Sequence, residues 1–382
     1  MDVPPHIAVA LFLTRFEPGG TERQMIELIR RLDPARFAVH VACFRREGAW
    51  LPRAAERAAS IVEFPIRGFA RPATARQLVA FARWCRHEQI AVVQTCDLYA
   101  NILGLPGAAL ARVPVRIGSR RELNPDKTAG QIRLQRHAYR CATKVVANSA
   151  AARRILEDEG LPTASIAVIP NGVDVPAFPE RSPEVATRPA RSVITIANLR
   201  AEKDHETLIA AAALVAADFP DVTFRIVGDG PRRPELEALV RGRNLQETVI
   251  FLGHREDVSQ LLAEADVFVL PSRSEAFPNS AIEAMASGLP VVASAVGGLL
   301  DLIDDGRTGL LVEPGGPEQF AAAIRRLLAD RHQAARLGAA ARADVIQRYG
   351  FDRMVKAFED LYLAGLPARS LSDARSAPAA GI

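Results

Sequence analysis

The feature that most constrains this chain is an alternation that runs twice along its length. Short apolar runs are each followed by a stretch of helical periodicity. In the first half the runs predict strands at Ile7–Leu13, Ala38–Phe44, Ile61–Phe64, Ile90–Thr95, Val115–Gly118, Lys144–Ala147 and Ile166–Ile169. The first helix is expected from about Thr21 to Leu32, where Met25, Leu28, Ile29 and Leu32 share one face. Strand–helix alternation of this length implies right-handed βαβ units wound around a parallel sheet.

The pattern breaks once. Residues 175–191 hold four prolines and no periodicity, the composition of a linker. The alternation then restarts, with strands expected near Val193–Ala197, Thr223–Val227, Val249–Leu252, Val267–Leu270, Pro290–Ser294 and Leu310–Val312, and a helix near Pro317–Ala329. The expected organisation is a first Rossmann-like domain over 1–175, a linker over 176–191 and a second Rossmann-like domain over 192–348. A helix over 349–366 and a small, polar tail over 367–382 complete it. A length of 382 residues is too long for one ordinary core and sufficient for two. Two doubly wound α/β domains imply a cleft between two sets of strand C-terminal ends, where ligands of open sheets bind.

Several classes fall away on composition. The four cysteines, Cys43, Cys85, Cys96 and Cys141, are at least eleven residues apart, which gives neither a zinc clip nor a disulfide framework. The Ile7–Leu13 run is short, lacks a preceding basic region and is followed by Arg15, so it reads as a buried strand rather than a leader. No run approaches the ~20 apolar residues of a membrane span. A cytoplasmic enzyme is expected. Residues 1–185 carry 26 Lys+Arg against 18 Asp+Glu, while the remainder carries 22 against 26. No nucleic-acid motif accompanies this basic half, and none is expected as a partner. Within 112–140, Arg116, Arg120, Arg121, Lys127, Arg133 and Arg136 face only Glu122 and Asp126, which suits an anionic acceptor or an anionic membrane surface. The alternative is arginines solvated or paired within the domain.

Three constellations carry chemistry. Gly19-Gly20 lies between the first strand and the first helix, where exposed amides and the helix N-terminus favour anionic oxygens. Asn198 to His205 follows the first strand of the second half, with Arg200 and Lys203 as candidate clamps for a diphosphate. The competing reading there is a solvated turn with Asp204 capping the next helix. Residues 271–290 place Glu275 in a loop after Val267–Leu270 and Glu283 in the first turn of a short helix from Ser280 to Gly288. Carboxylates at a strand-end switch point accept charge-assisted hydrogen bonds from sugar hydroxyls. A capping box, Ser280-x-x-Glu283, also explains Glu283.

Glu275 and Glu283 with Phe277-Pro278-Asn279 between them resemble the EX7E motif of retaining GT-B glycosyltransferases of family 4, the group 1 type. The resemblance extends to the 19–20 loop, Ser149, Ile169 to Asp174, Gly228-Asp229-Gly230 and Phe251-Leu252-Gly253. It implies two Rossmann-like domains facing a cleft, a nucleotide-sugar donor of UDP or GDP type, and a glycan, glycolipid or lipid-linked acceptor. It also implies polysaccharide or cell-envelope glycan synthesis, peripheral to the inner face of a membrane. Lys203, Arg200 and Glu275 would be the catalytic set. Gly19, Gly20, Asn198, Gly228, Phe277, Pro278, Asn279 and Glu283 would bind the donor. No cofactor and no metal are expected; the Asp-x-Asp pair of metal-dependent transferases is absent from the sequence.

The chain departs from the family pattern twice. The arginine usually five residues before the lysine is Asn198 here, with Arg200 three before. The histidine usual near the end of the strand at 92–95 is missing, and Cys96, Asp97 and Tyr99 all stand near its place. A catalytically silent partner subunit and a nucleotide-sugar epimerase of the same fold are the competing readings.

Overall fold

A computed structural model of the chain describes residues 6–69, 71–123, 127–179 and 191–367. Most of the expected linker, residues 180–190, and the expected tail from residue 368 lie outside the described residues.

Among the described residues, thirteen parallel strands form two sheets. The first holds β1 (Ile7–Leu13), β2 (Phe37–Cys43), β3 (Ser60–Glu63), β4 (Val92–Thr95), β5 (Val115–Arg120), β6 (Lys144–Ala147) and β7 (Ile166–Val168) in the order β3-β2-β1-β4-β5-β6-β7. The second holds β8 (Ser192–Ile196), β9 (Thr223–Val227), β10 (Val249–Gly253), β11 (Val267–Leu270), β12 (Val291–Ser294) and β13 (Leu310–Val312) in the order β10-β9-β8-β11-β12-β13. Both are doubly wound. In each, the order reverses beside the first strand, between β1 and β4 and between β8 and β11. Ligands of such sheets bind at the carboxyl ends of those strands.

The central strands are covered on both faces, so they read as unbroken apolar runs rather than alternating ones. In the second sheet Val267 and Val269 join one buried cluster while Phe268 and Leu270 join another, as the two-residue period of a strand requires. β1 is buried along nearly its whole length, and Leu11, Phe12 and Leu13 are fully enclosed.

The helices of the first half are α1 (Gly20–Arg31), α2 (Leu51–Ala55), α3 (Pro72–His87), α4 (Leu98–Ala111), α5 (Ala129–Tyr139) and α6 (Ala150–Asp158). Those that follow are α7 (His205–Ala216), α8 (Arg233–Gly242), α9 (Val258–Glu264), α10 (Asn279–Ala286), α11 (Leu299–Leu302), α12 (Pro317–Ala329), α13 (Arg331–Arg348) and α14 (Phe351–Gly365). Along α1, Met25, Leu28 and Ile29 and the following Leu32 are all buried.

The chain divides into two units. One is residues 1–170 with 352–382, and the other is Asn171–Phe351. The boundary expected from composition, 175, lies a few residues further along the chain. Asn171 to Asp174 belong to the second unit because Val173 donates to the Tyr349 carbonyl at 2.8 Å and accepts from Phe351 at 3.1 Å. That pairing spans far more sequence than any local pattern reports. From Asp352 onward α14 packs in the first unit: Phe358 and Tyr362 are fully buried, and the Tyr362 hydroxyl donates to Gln94 Oε1 at 2.5 Å. Among the described residues, no helix is long and apolar enough to cross a membrane.

Most of the cations expected to form an open patch over 112–140 are engaged inside the first unit. Arg116 donates to the carbonyls of Cys141 (2.6 Å) and Val113 (2.5 Å). Arg120, 3% exposed, pairs with Glu159 at 3.2 Å. Arg121 is buried against the Phe358 ring, and Lys127 pairs with Glu122 at 3.8 Å. Asp126 lies outside the described residues. Arg133 and Arg136 remain exposed.

Candidate active site

In the second unit the carboxyl ends of β8 and β11 lie side by side, and the loops that leave them carry the chemistry. After β8 the chain makes a single 3-10 turn, Ala201–Lys203, and enters α7 through Asp204. Lys203 Nζ donates to Glu275 Oε1 at 2.6 Å, and the Ser272 hydroxyl donates to the same oxygen at 2.7 Å. Glu275 is 6% exposed. A buried carboxylate needs such partners, because an unpaired charge away from water costs several kcal/mol. Glu275 and Lys203 are therefore a coupled pair, with the lysine's remaining N–H groups available for a ligand.

Asp204 is almost fully buried in a left-handed conformation (φ 50°). It occupies the N-cap position of α7, yet its carboxylate caps no backbone amide, contrary to the capping alternative. It accepts from Arg273 Nε at 2.9 Å and from the Thr207 hydroxyl at 2.9 Å. Arg273 also donates its backbone N–H to the Glu202 carbonyl at 2.8 Å, which ties the loop after β11 to the turn after β8. Beside them His205 is buried, and among the described residues neither ring nitrogen has a hydrogen-bond partner. Burial lowers its pKa from the ordinary 6.5 to about 4.

The loop after Glu275 is fixed by its backbone. Asn171 Nδ2 donates to the Phe277 carbonyl at 3.0 Å and to Asn279 Oδ1 at 2.8 Å. The Gly298 N–H donates to the Glu275 carbonyl at 2.9 Å, and a Cβ at Gly298 would stand 1.9 Å from the Ala276 oxygen. Phe277 is buried with its ring 5.4 Å from that of Tyr349. Pro278 is the N-cap of α10, and Asn279 is its first residue. Glu283 is therefore the fifth residue of α10 and is buried. No side chain caps this helix, so the Ser280-x-x-Glu283 capping box does not form: Ser280 already lies inside the helix.

Asn198 and Arg200 are exposed at the end of β8. Among the described residues the Arg200 guanidinium has no ion pair. Arg232, by contrast, is held by Glu206 and Glu235. Gly228 has a packing reason for being glycine: at φ 128° its Cβ would meet the Ala197 oxygen at 2.1 Å.

Gly19 and Gly20 lie in the first unit, where the carboxyl end of β1 meets α1. Gly19 has ordinary extended backbone (φ −155°), and the obstacle to a side chain there is only the flexible Glu22 carboxylate. Burial, reinforced by Asp97 and Glu122, raises the pKa of Glu22 to about 7 against the pull of a backbone hydrogen bond and Arg15. The three residues near the place of the family histidine have separate fates. Asp97 caps α4 through Ala100 at 2.8 Å and accepts from the Thr14 hydroxyl at 2.7 Å. Cys96 is buried, which pushes its thiol well above the ordinary value. Tyr99 stacks on Phe69 with centroids 6.1 Å apart, and Lys127 lies over its ring.

Sequence reasoning missed Asn171, Ser272, Asp204 and Arg273 as residues that set the loop geometry. Asn171 had one signal, its place in the Ile169–Asp174 run. Among the described residues no group of three or more His, Cys, Asp or Glu side chains is arranged to hold a metal ion.

The chain is similar to known families and proteins in sequence and in fold. The sequence profile of Glycosyltransferase Family 4 matches residues 18–176, and that of the Glycosyl transferases group 1 matches residues 190–330. The D-inositol 3-phosphate glycosyltransferase of Geodermatophilus obscurus is 33% identical over 255 residues, 62% of this chain and 56% of that protein. The N-acetyl-alpha-D-glucosaminyl L-malate synthase of Bacillus anthracis is 32% identical over 170 residues, 44% of each. The chain thus spans about half the length of the curated relatives it matches. In fold it is similar to Anabaena HepE, solved in complex with UDP, with a TM-score of 0.83 at 23% identity over 94% of this chain and 100% of that one. Sucrose-phosphate synthase from Thermosynechococcus elongatus gives a TM-score of 0.77 at 22% identity, over 94% and 98%.

Proposed function

Because this chain belongs to the GT-B glycosyltransferases of family 4 and group 1, we propose that it transfers a sugar from a UDP- or GDP-sugar to a glycan, glycolipid or lipid-linked acceptor with retention at the anomeric carbon and without a metal ion. The observation that carries this reading is the Lys203–Glu275 pair at the β8/β11 switch point. An ammonium there is placed to neutralise a departing diphosphate, and Glu275 holds it while offering its second oxygen to a sugar hydroxyl. Arg200 supplies the second cation, and Asn198, Gly228, Phe277, Pro278 and Asn279 line the donor. Glu283 takes the ribose hydroxyls. Gly19 and Gly20, at the carboxyl end of β1, offer amides suited to the donor's anionic oxygens.

In the retaining step the bond from the anomeric carbon to the diphosphate oxygen breaks. A bond to the acceptor oxygen forms on the same face, and the acceptor's proton passes to the leaving phosphate. Such a reaction asks the protein for position and charge stabilisation rather than a strong base. Work in polysaccharide or envelope glycan synthesis, on the inner side of a membrane, follows from the acceptor class. A thermal-shift screen against UDP-, GDP- and ADP-sugars tests the proposal: a UDP- or GDP-sugar should raise Tm, and no response to any of them would overturn it. HepE has been solved with UDP-glucose, which makes that the first donor to try.

A further inference from the structure

The first unit has a concave site of its own. It lies at the amino ends of β6 and β7, the end of the parallel sheet opposite to Gly19 and Gly20. It is a cavity of about 470 Å³ into which Arg133, Arg136, His137, Arg140 and Lys144 project, with Glu159 as the one carboxylate. That carboxylate is already spent, since Glu159 pairs with the buried Arg120 at 3.2 Å.

The cations divide into two groups. Arg136 donates to the Glu159 carbonyl at 2.7 Å and Lys144 to the Ala164 carbonyl at 2.5 Å. Arg136 thereby closes the end of α6, and Lys144 ties the start of β6 to the 3-10 turn before β7. Arg133 and Arg140 are exposed and, among the described residues, have neither an ion pair nor a side-chain hydrogen bond. Arg133, within α5, and Arg140, its C-cap residue, line the same concave surface, whose described lining holds no acid other than the paired Glu159. Val145 and Leu161 give the cavity apolar lining. Its volume falls within the range of small-ligand sites.

We propose that this cavity is a second binding site that takes a phosphate-bearing ligand, either a soluble phosphate ester or the headgroup of a phospholipid. Arg133 and Arg140 are its primary contacts, because guanidinium–phosphate pairs are bidentate and charge-assisted. The site is separate from the Lys203–Glu275 pair, and it stands whether or not the donor reading is right.

The test uses the full chain carrying Lys203→Met together with Arg200→Gln, so that neither cation of the candidate diphosphate clamp contributes. Pyrophosphate is titrated calorimetrically into this protein and into the same protein with Arg133→Ala and Arg140→Ala added. Saturable binding that weakens with salt, and about tenfold or more with the two added substitutions, is the expected result. If the alanines impair folding by circular dichroism, Arg133→Gln and Arg140→Gln replace them. No saturable binding to the Lys203→Met, Arg200→Gln protein, or binding that ignores both added substitutions, would overturn the proposal. Co-sedimentation with phosphatidylcholine vesicles containing phosphatidic acid identifies the source. Vesicle binding lost in the Arg133/Arg140 variant assigns a lipid headgroup, and pyrophosphate binding without vesicle binding assigns a soluble ester.

Discussion

Replacing Lys203 with methionine removes the ammonium but keeps most of the apolar stem. Glu275 loses its charge partner at 2.6 Å and retains the Ser272 hydroxyl at 2.7 Å. Breaking a fully buried ion pair costs about 3–5 kcal/mol, and an exposed one under about 1 kcal/mol. Here the two side chains are 21% and 7% exposed. One hydrogen bond to the carboxylate survives, which places the expected loss of stability near 2 kcal/mol. The catalytic loss is separate. Removing one preorganised electrostatic group from a transition state costs about 2–4 kcal/mol, or about 30- to 1,000-fold in kcat/KM. Adding Glu275→Gln neutralises the orphaned carboxylate, so the double variant should recover most of the stability and none of the activity. Urea unfolding of the four proteins of the cycle gives the coupling energy, and transfer of labelled sugar from the responding donor gives kcat/KM. A coupling energy near zero would refute the reasoning about the pair. Turnover of Lys203→Met within about twofold of the parent would remove Lys203 from the site.

Three further outcomes follow from the same geometry. His205 is held neutral with a pKa of about 4, so folding excludes the proton that the unfolded chain takes up below the ordinary 6.5. Its contribution is present at neutral pH and lost as pH falls, by about 2 kcal/mol at pH 5. Glu22, raised to about 7, acts in the opposite sense, losing stability as pH rises from about 4.5 toward 7. The clean comparison is therefore the parent against His205→Leu, whose urea-derived stability should lack the acid-side loss; identical pH slopes would show the ring is not buried neutral. Gly298→Ala forces the Ala276 carbonyl aside, at about 1–3 kcal/mol, and should weaken donor binding. Gly242→Ala, at the last residue of α8 with nothing within 4 Å of its Cβ, should not lower stability and should leave donor binding unchanged, and equal Tm and KM for the two variants would contradict the packing argument. Activity should survive excess EDTA; loss restored by a divalent ion would contradict the metal-free proposal.

Much of the fold was legible because parallel strands covered on both faces are continuous apolar runs. Lys144–Ala147, Thr223–Val227, Val267–Leu270 and Leu310–Val312 match the sequence expectation, while β5 runs two residues past the expected Gly118. What the sequence hid was pairing across long separations. Asn171 reaches the loop at Phe277, Arg273 reaches Asp204, and Arg120 reaches Glu159. None of these partners lies within a helical turn or a strand period of the other. The same blindness made 112–140 look like an open basic patch, although Arg116, Arg120 and Arg121 are committed to the interior of the first unit. Glu275 and Glu283 could be picked out because eight residues of sequence hold them. That Ser272 and Lys203 converge on one oxygen of Glu275 could not, since it depends on β8 and β11 being neighbours.

The central claim is retaining transfer from a nucleotide sugar at the Lys203–Glu275 site. It is tested most directly by following turnover of the selected donor by proton NMR, with water as the surrogate acceptor in the absence of the true one. The sugar formed first should carry the donor's anomeric configuration, before mutarotation. A first-formed sugar of inverted configuration would contradict the account.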